Sequence, residues 1–545
     1  MKKLFTLLLA SSFVTSIFAA NITINAGKIT DLNWTADNVY ILAGWAYVDS
    51  LDVLTIQAGT VIKGSPGEAE ASSALIVSRG GKIIANGTAD EPIIFTTLAD
   101  DLNGSVPEKA AGLWGGVIVL GYGQTNNGVQ KSIEGISPDL EFGLYGGTSE
   151  QEVEDQDAGE MSYCSIRHGG TEIGDGNEIN GLTLGAVGSG TTFSFIEVIA
   201  NLDDGIEFFG GAPVVDHFLV SYCGDDCYDH DEGIRAKMQF IVAVQDTASW
   251  GECFGEHDGG SGSGENSDFV AHPVVSNATF ISDLSGGASS KKAFVLRDNW
   301  SGEYHNSIFA QTAVPILVEF RPDKETHNSY YQLTQDMIVF QNNIFHNVAD
   351  NSADTMLTVV DHHDNVWLDS TELQTAADAK FASWTNDLST DPGVSIPSPV
   401  PTGNVSGAVF AGLTDFETVD YKGAFDPAVT CGHWAGGWTL TYAGTDYAVE
   451  ASDCDPIISV ETGNVDAFVS VYPNPVSDIL TVSFLNSDIS VYTINLYSAN
   501  GQVVLTASTK SSQIDLDVTS LASGLYTYHL VNVNNLVSVG QIVIE

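Results

Sequence analysis

The densest run of acidic residues in the chain is NLDDGIEFFGGAPVVDHFLVSYCGDDCYDHDEGIRAK. It places Asp203, Asp204 and Glu207 ahead of Asp225, Asp226, Asp229, Asp231 and Glu232. The two Asp-Asp pairs stand 22 residues apart, a plausible length for one turn of a coiled array of strands. If such turns stack, the pairs lie about 4.8 Å apart, the distance between neighbouring strands. At an effective dielectric of ~20, each like-charge contact then costs about 3.5 kcal/mol. Arg235 and Lys237 follow closely, but two cations do not balance this many acids. Calcium does so directly, because it takes several oxygen ligands and extracellular sites work at weak affinity. The candidate calcium ligands are Asp203, Asp204, Asp225, Asp226, Asp229 and Asp231. Their spacing is neither that of an EF-hand nor that of a glycine-rich nonapeptide repeat. The competing reading is a set of solvated turn aspartates that point apart.

Carboxylates in this arrangement can also do acid–base work. Asn201 to Gly205, followed one turn later by Gly-Asp-Asp-Cys at 224–227, resembles the polygalacturonase family of β-helix hydrolases. That resemblance implies an inverting displacement, with one carboxylic acid protonating the leaving oxygen and carboxylates opposite activating water. It would cast Asp226 as the acid and Asp204 and Asp225 as bases, with His257 in GEHDGG nearest the place of the family's histidine. The chain departs from the family in three ways. The first segment carries an extra Asp, the Gly-His-Gly segment is missing, and the Arg-x-Lys that grips substrate carboxylates is absent downstream. A polysaccharide hydrolase or lyase is therefore the alternative, and a non-catalytic calcium-binding protein the principal expectation. No Gly-x-Ser-x-Gly elbow, phosphate loop or His-Glu-x-x-His is present. Asp361–Asn365, DHHDN, reads as a solvated loop, since neighbouring residues of an extended chain point apart. Trp34, Trp45, Trp114, Trp250, Trp300, Trp434 and Trp438 are candidate sugar platforms or core residues.

The elements that position these residues read as short strands. LTIQAGTVIKG, SALIVSRGGKIIANGT and EPIIFTT follow one another, rich in Val, Ile and Thr and closed by turn residues. A looser repeat of polar, aromatic and aliphatic residues then starts at Ser162, Ser194, His217, Gln239 and Thr279. Irregular spacing of about one coil predicts an all-β solenoid rather than a sandwich, which would need hairpin turns. The segments L-x-I-x-AGT, GGKIIANGT and LWGGVIVLG resemble secreted bacterial right-handed parallel β-helix proteins. The resemblance covers about residues 27 to 455 and implies the fold without a settled activity. Residues 391–407, with four prolines, read as an exposed excursion.

Seventy acidic and 19 basic residues set a net charge of −51, which excludes nucleic acid and anionic lipid as partners. Lys2, Lys3, an apolar run and small residues at Ala19 and Ala20 predict a secretory signal peptide over 1–20. No later run is long and apolar enough for a spanning helix. The six cysteines of an exported chain favour disulfides. The expected pairs are Cys431–Cys454, Cys227–Cys253 and Cys164–Cys223. The β-helix is expected over 21–455, with a linker over 456–467.

A second domain is expected over 468–545. Alternating strands follow Tyr472-Pro473-Asn474-Pro475, and turns fall at Asn500-Gly501 and Ser523-Gly524 ahead of Tyr526, the pattern of a small β-sandwich. YPNP, INLYSANGQVV, LDVTSLASGLYTYHL and the final GQIVIE resemble the type A C-terminal sorting domain of the type IX secretion system of Bacteroidota. That resemblance implies export through the outer-membrane translocon to the medium or the cell surface, with surface lipopolysaccharide or glycans as candidate partners.

Overall fold

The computed structural model describes residues 20–445 and 469–544, apart from short internal segments of which 284–291 and 362–369 are the longest. The leader up to residue 19, the 456–467 linker, Trp250, most of DHHDN, Cys431, Cys454 and Gly501 lie outside the described residues. The chain divides into two compact units, Met1–Asp453 and Cys454–Glu545.

In the first unit the short Val-, Ile- and Thr-rich runs pair into one sheet of 27 strands. Its ladders are parallel, each strand bonding to the strand one coil later. Parallel neighbours cannot be joined by hairpins, so the chain travels round a full turn between them and winds as a right-handed parallel β-helix. Three columns of strands form its walls. One column carries the acidic residues: β1 (Leu182–Val187), β2 (Ile206–Gly211), β3 (Tyr228–Asp231), β4 (Cys253–Asp258), β5 (Lys292–Arg297) and β6 (Ile316–Phe320). Alternation sends Leu184, Phe208, His230, His257, Leu296 and Val318 inward in register. Each is fully buried, and a buried aliphatic or aromatic side chain contributes roughly 1.5–3 kcal/mol.

The corner between the other two columns is turned by one residue per coil at positive φ. Tyr163, Phe195, His217 and Phe240 occupy it first, then Asn277, Asn306 and Asn342. The left-handed conformation costs a non-glycine residue about 1–2 kcal/mol. Stacking offsets that cost in the upper coils, where Tyr163–Phe195 and Phe195–His217 lie 4.4 Å apart, centroid to centroid. Asparagine tolerates the conformation better and adds a ladder, with Asn342 Nδ2 donating to Asn306 Oδ1 at 2.9 Å. The register differs from the expected repeat by one residue in the third coil. His217, not Phe218, stands beneath Phe195, because Ser194 pairs with Asp216 and Ile196 with Phe218. In the later coil the corner follows Ser276 rather than Thr279.

The proline-bearing stretch is no free excursion. Val394 and Val405 are buried against Ile281, Ile308, Ala310 and Ile344, and Val409 N donates to Asn306 Oδ1 at 2.9 Å. Trp434 and Trp438 continue this strap over Phe195 and His217. The buried Glu197 accepts from Leu440 N and Thr441 N, both at 2.8 Å.

The geometry does not bring together the cysteines of two expected pairs, Cys227–Cys253 and Cys164–Cys223. Cys253 lies opposite Asp226, one residue out of step with Cys227, by the His230–His257 register. It therefore points outward with Val295, Leu317 and Val360, whereas Cys227 points into the central core. Cys164 aligns with Ile196 and, one coil further, Phe218. It sits about two strand spacings, roughly 9.6 Å, from the coil that bears Cys223, beyond disulfide reach.

The second unit pairs its strands antiparallel in a three-stranded and a four-stranded sheet. Leu480, Val482, Ile494, Leu496, Leu516, Leu530 and Ile542 fill one core between them, the layering of a β-sandwich. Tyr472–Pro473 and Asn474–Pro475 are both cis. Asn474 Oδ1 accepts from Val543 N at 2.8 Å, so the opening corner is tied to the final strand. Tyr526 donates its hydroxyl to Ala522 O at 2.8 Å.

Candidate metal centre

The outer face of the β1–β6 column changes character along its length. In the early coils the loop between Leu120 and Gly159 lays Ile133, Ile136 and Tyr145 over Ile76, Ile118 and Leu120. Below that apolar cover the outward ladder becomes Thr183, Glu207 and Asp229. The His230–His257 register sets Glu256 next after Asp229, and Asp258 after Asp231.

The Asp-Asp pairs stack one coil apart. Asp226 N donates to Asp204 Oδ1 at 2.9 Å, and Gly205 N to Asp226 O at 2.8 Å. Asp226 turns its own carboxylate away and accepts from Cys253 N at 2.7 Å. Two carboxylate triads result, each with oxygens within 4.8 Å of one another: Asp203, Asp204 and Asp225, and Asp204, Glu207 and Asp229. Asp204 belongs to both. Four of the six expected ligands thus converge, while Asp226 and Asp231 fall outside the triads. Glu207 joins them unannounced. Its place three residues after Asp204, outward on β2, was available from strand alternation once the coil register was known.

Electrostatics separates the triads from the coils below. Among the described residues, the charged groups that act most strongly on Asp203, Asp204, Glu207 and Asp229 are other carboxylates. Burial, then Asp225 and Glu178, pushes Asp203 up to about 7. Asp204, Glu207 and Asp229 are driven well above the usual carboxylate range by burial first and neighbouring acids second. Further along, cations take over. Arg297 bonds Asp258 at 2.6 and 3.0 Å and reaches Glu256 at 2.6 Å. Arg321 pairs with Glu265 and Asp298, and Lys131 with Glu232.

The donor set suits a hard divalent cation. Besides the carboxylates, the buried Asn180 donates Nδ2 to Glu207 while its Oδ1 has no partner. Asn201, buried beside Asp204 and bonded to its carbonyl at 2.7 Å, likewise has an unpartnered Oδ1. A buried acceptor without a donor costs about 1–3 kcal/mol. Calcium accepts carboxylate, amide and water oxygens together.

The hydrolase constellation is not assembled. His257 points inward on β4, stacked on His230 with centroids 4.0 Å apart. It bonds Tyr304 Oη through Nε2 at 2.6 Å, and burial holds it at about 3. The sheet separates it from the outward Asp204 and Asp225. Asp226 is buried and committed to the backbone of Cys253. Nor do the candidate tryptophans among the described residues offer platforms: Trp34, Trp114, Trp300, Trp434 and Trp438 are buried, and the half-buried Trp45 donates Nε1 to Ser72 Oγ.

Comparison with known proteins agrees with this architecture. The family described as a pectate-lyase like beta helix domain matches residues 26–389. The family described as a secretion system C-terminal sorting domain matches residues 470–545. Full-length tailspike protein 2 (TSP2, ORF211) from Escherichia coli O157:H7 bacteriophage CAB120 is similar at 10% identity, with a TM-score of 0.20. That alignment covers 93% of this chain and 64% of the tailspike, so this chain spans less than two thirds of it. No curated protein matches.

Proposed function

The chain belongs to the pectate-lyase-like β-helix family, and from that premise we propose that its coil is an exported calcium-binding module. The sorting domain directs export through type IX secretion to the cell surface or the medium. There millimolar calcium is compatible with a weak site. The observation that carries the reading is the pair of carboxylate triads joined at Asp204, with carboxylates as the strongest charged influences on Asp203, Asp204, Glu207 and Asp229 among the described residues. Calcium at the triads relieves the repulsion that Arg297 and Arg321 relieve further along. Two ions bridged by Asp204 fit the donor arrangement better than one, because the triads share only that residue. With several coordination positions left to water, a bound ion can also take oxygens from an acidic glycan or a neighbouring surface. Such contact is through the ion, since the described tryptophans are buried or half-buried. The role is non-catalytic, consistent with His257 facing the core.

Calorimetric titration of the full-length protein tests this. We expect uptake of calcium with a Kd on the order of 10⁻⁴–10⁻³ M and a rise in Tm that Asp204→Asn removes. No heat and no Tm change between chelator and saturating calcium would refute the reading.

A further inference from the structure

We propose that Cys223 and Cys227 are joined by a disulfide in the exported protein. The two thiols lie within hydrogen-bonding reach of each other. Both side chains are fully buried and belong to the central core. The Sγ of Cys223 and the carbonyl of Cys227 flank the same face of Gly205, one coil earlier, where a Cβ would meet them at 2.9 and 2.8 Å. The intervening residues Gly224, Asp225 and Asp226 form the turn that enters β3, so the sulfurs stand at the two ends of that turn. The other described cysteines are excluded as partners. Cys253 faces the opposite side of the sheet, and Cys164 lies two coils away.

Export supplies the chemistry. The chain leaves the reducing cytoplasm, and outside it disulfides persist. One thiolate attacks a disulfide-bearing oxidant of the export compartment and releases one of the oxidant's thiolates. The second cysteine, losing its proton, then displaces the other oxidant sulfur from the mixed disulfide. The pair loses two protons and two electrons, and the oxidant leaves as a dithiol. Because both sulfurs are buried in the finished coil, the bond closes before the following coil is laid down. The resulting ring staples the turn that presents Asp225 and Asp226.

Thiol mapping of the chain recovered from outside its exporting host decides the matter, independently of calcium. The protein is denatured and alkylated without reductant, then digested. We expect a peptide lighter by two hydrogens, with Cys223 and Cys227 unmodified, and both sites alkylated once reductant is added. Cys227→Ala should leave Cys223 alkylated without reductant. Quantitative alkylation of both cysteines in the unreduced wild type overturns the proposal, as does a bond from either to Cys164, Cys253, Cys431 or Cys454. Continued protection of Cys223 in Cys227→Ala overturns it as well.

Discussion

Asp204 is the residue on which the proposed metal centre turns, since it alone is common to both triads. Its replacement by Asn removes a charge from each, and calcium affinity should fall by about tenfold or more. Asp231→Asn, outside the triads, should leave affinity within about twofold, given its separate ladder with Asp258. Equal losses in the two variants, measured by calorimetry, would dissolve the distinction. The buried carboxyls also set a pH dependence. Asp203 and Glu256 stand at about 7 and Glu319 at about 8, against an unfolded value near 4. Between those limits the folded chain holds protons that the unfolded chain has released. The contribution of these carboxyls to stability in chelator is therefore full near pH 4 and is lost as the pH rises through about 7 to 8, whereas the buried His257, held at about 3, acts in the opposite sense below about 6.5. On the proposed binding, added calcium should flatten this slope at the triads by keeping their carboxylates ionised. Thermal melts in chelator between about pH 7 and 8.5, where histidine is neutral in both states, check the sign, and a Tm that climbs across that interval would contradict it.

At the scale of the element, the corner ladder and the strap depend on each other. Asn306 sits at φ 50°, donates to Val409 O at 3.0 Å and accepts from Val409 N. Asn306→Ala loses both bonds and keeps the backbone strain, whereas Asn306→Gly loses the bonds but relieves the strain. We expect the alanine variant to be less stable by about 1 kcal/mol than the glycine variant. Both should expose the strap to protease before the coil itself unfolds. Equal stability of the two variants by denaturant titration would show that the corner stores no strain. Strand type and the existence of a repeat were legible from Val, Ile and Thr content and from alternation. The register was not. A corner position accepts Tyr, Phe, His or Asn, so the aromatic residue after each polar one misaligned the third coil by one place.

For the whole molecule, the two units have separate cores, and the sorting domain serves export rather than the coil's stability. Removal of residues 468–545 should keep the protein inside its native host while leaving the melting temperature of the coil within about 2 °C. Undiminished appearance outside the cell, seen by immunoblot of the medium and surface fractions, would defeat that assignment. The sequence by itself determined that the chain is a parallel solenoid with a sorting domain at its end, and that carboxylates crowd two successive coils. Those properties follow from local pattern: strand periodicity, turn residues and the ordered motifs from YPNP onward. Only the tertiary structure decided which acids meet, which histidine faces inward and which cysteines touch. Each depends on register, and in a β-coil a shift of one residue carries a side chain to the other face. Thus Glu207 joined the triads and Asp226 left them, His257 turned into the core, and Cys253 was parted from Cys227 by a single place in the ladder.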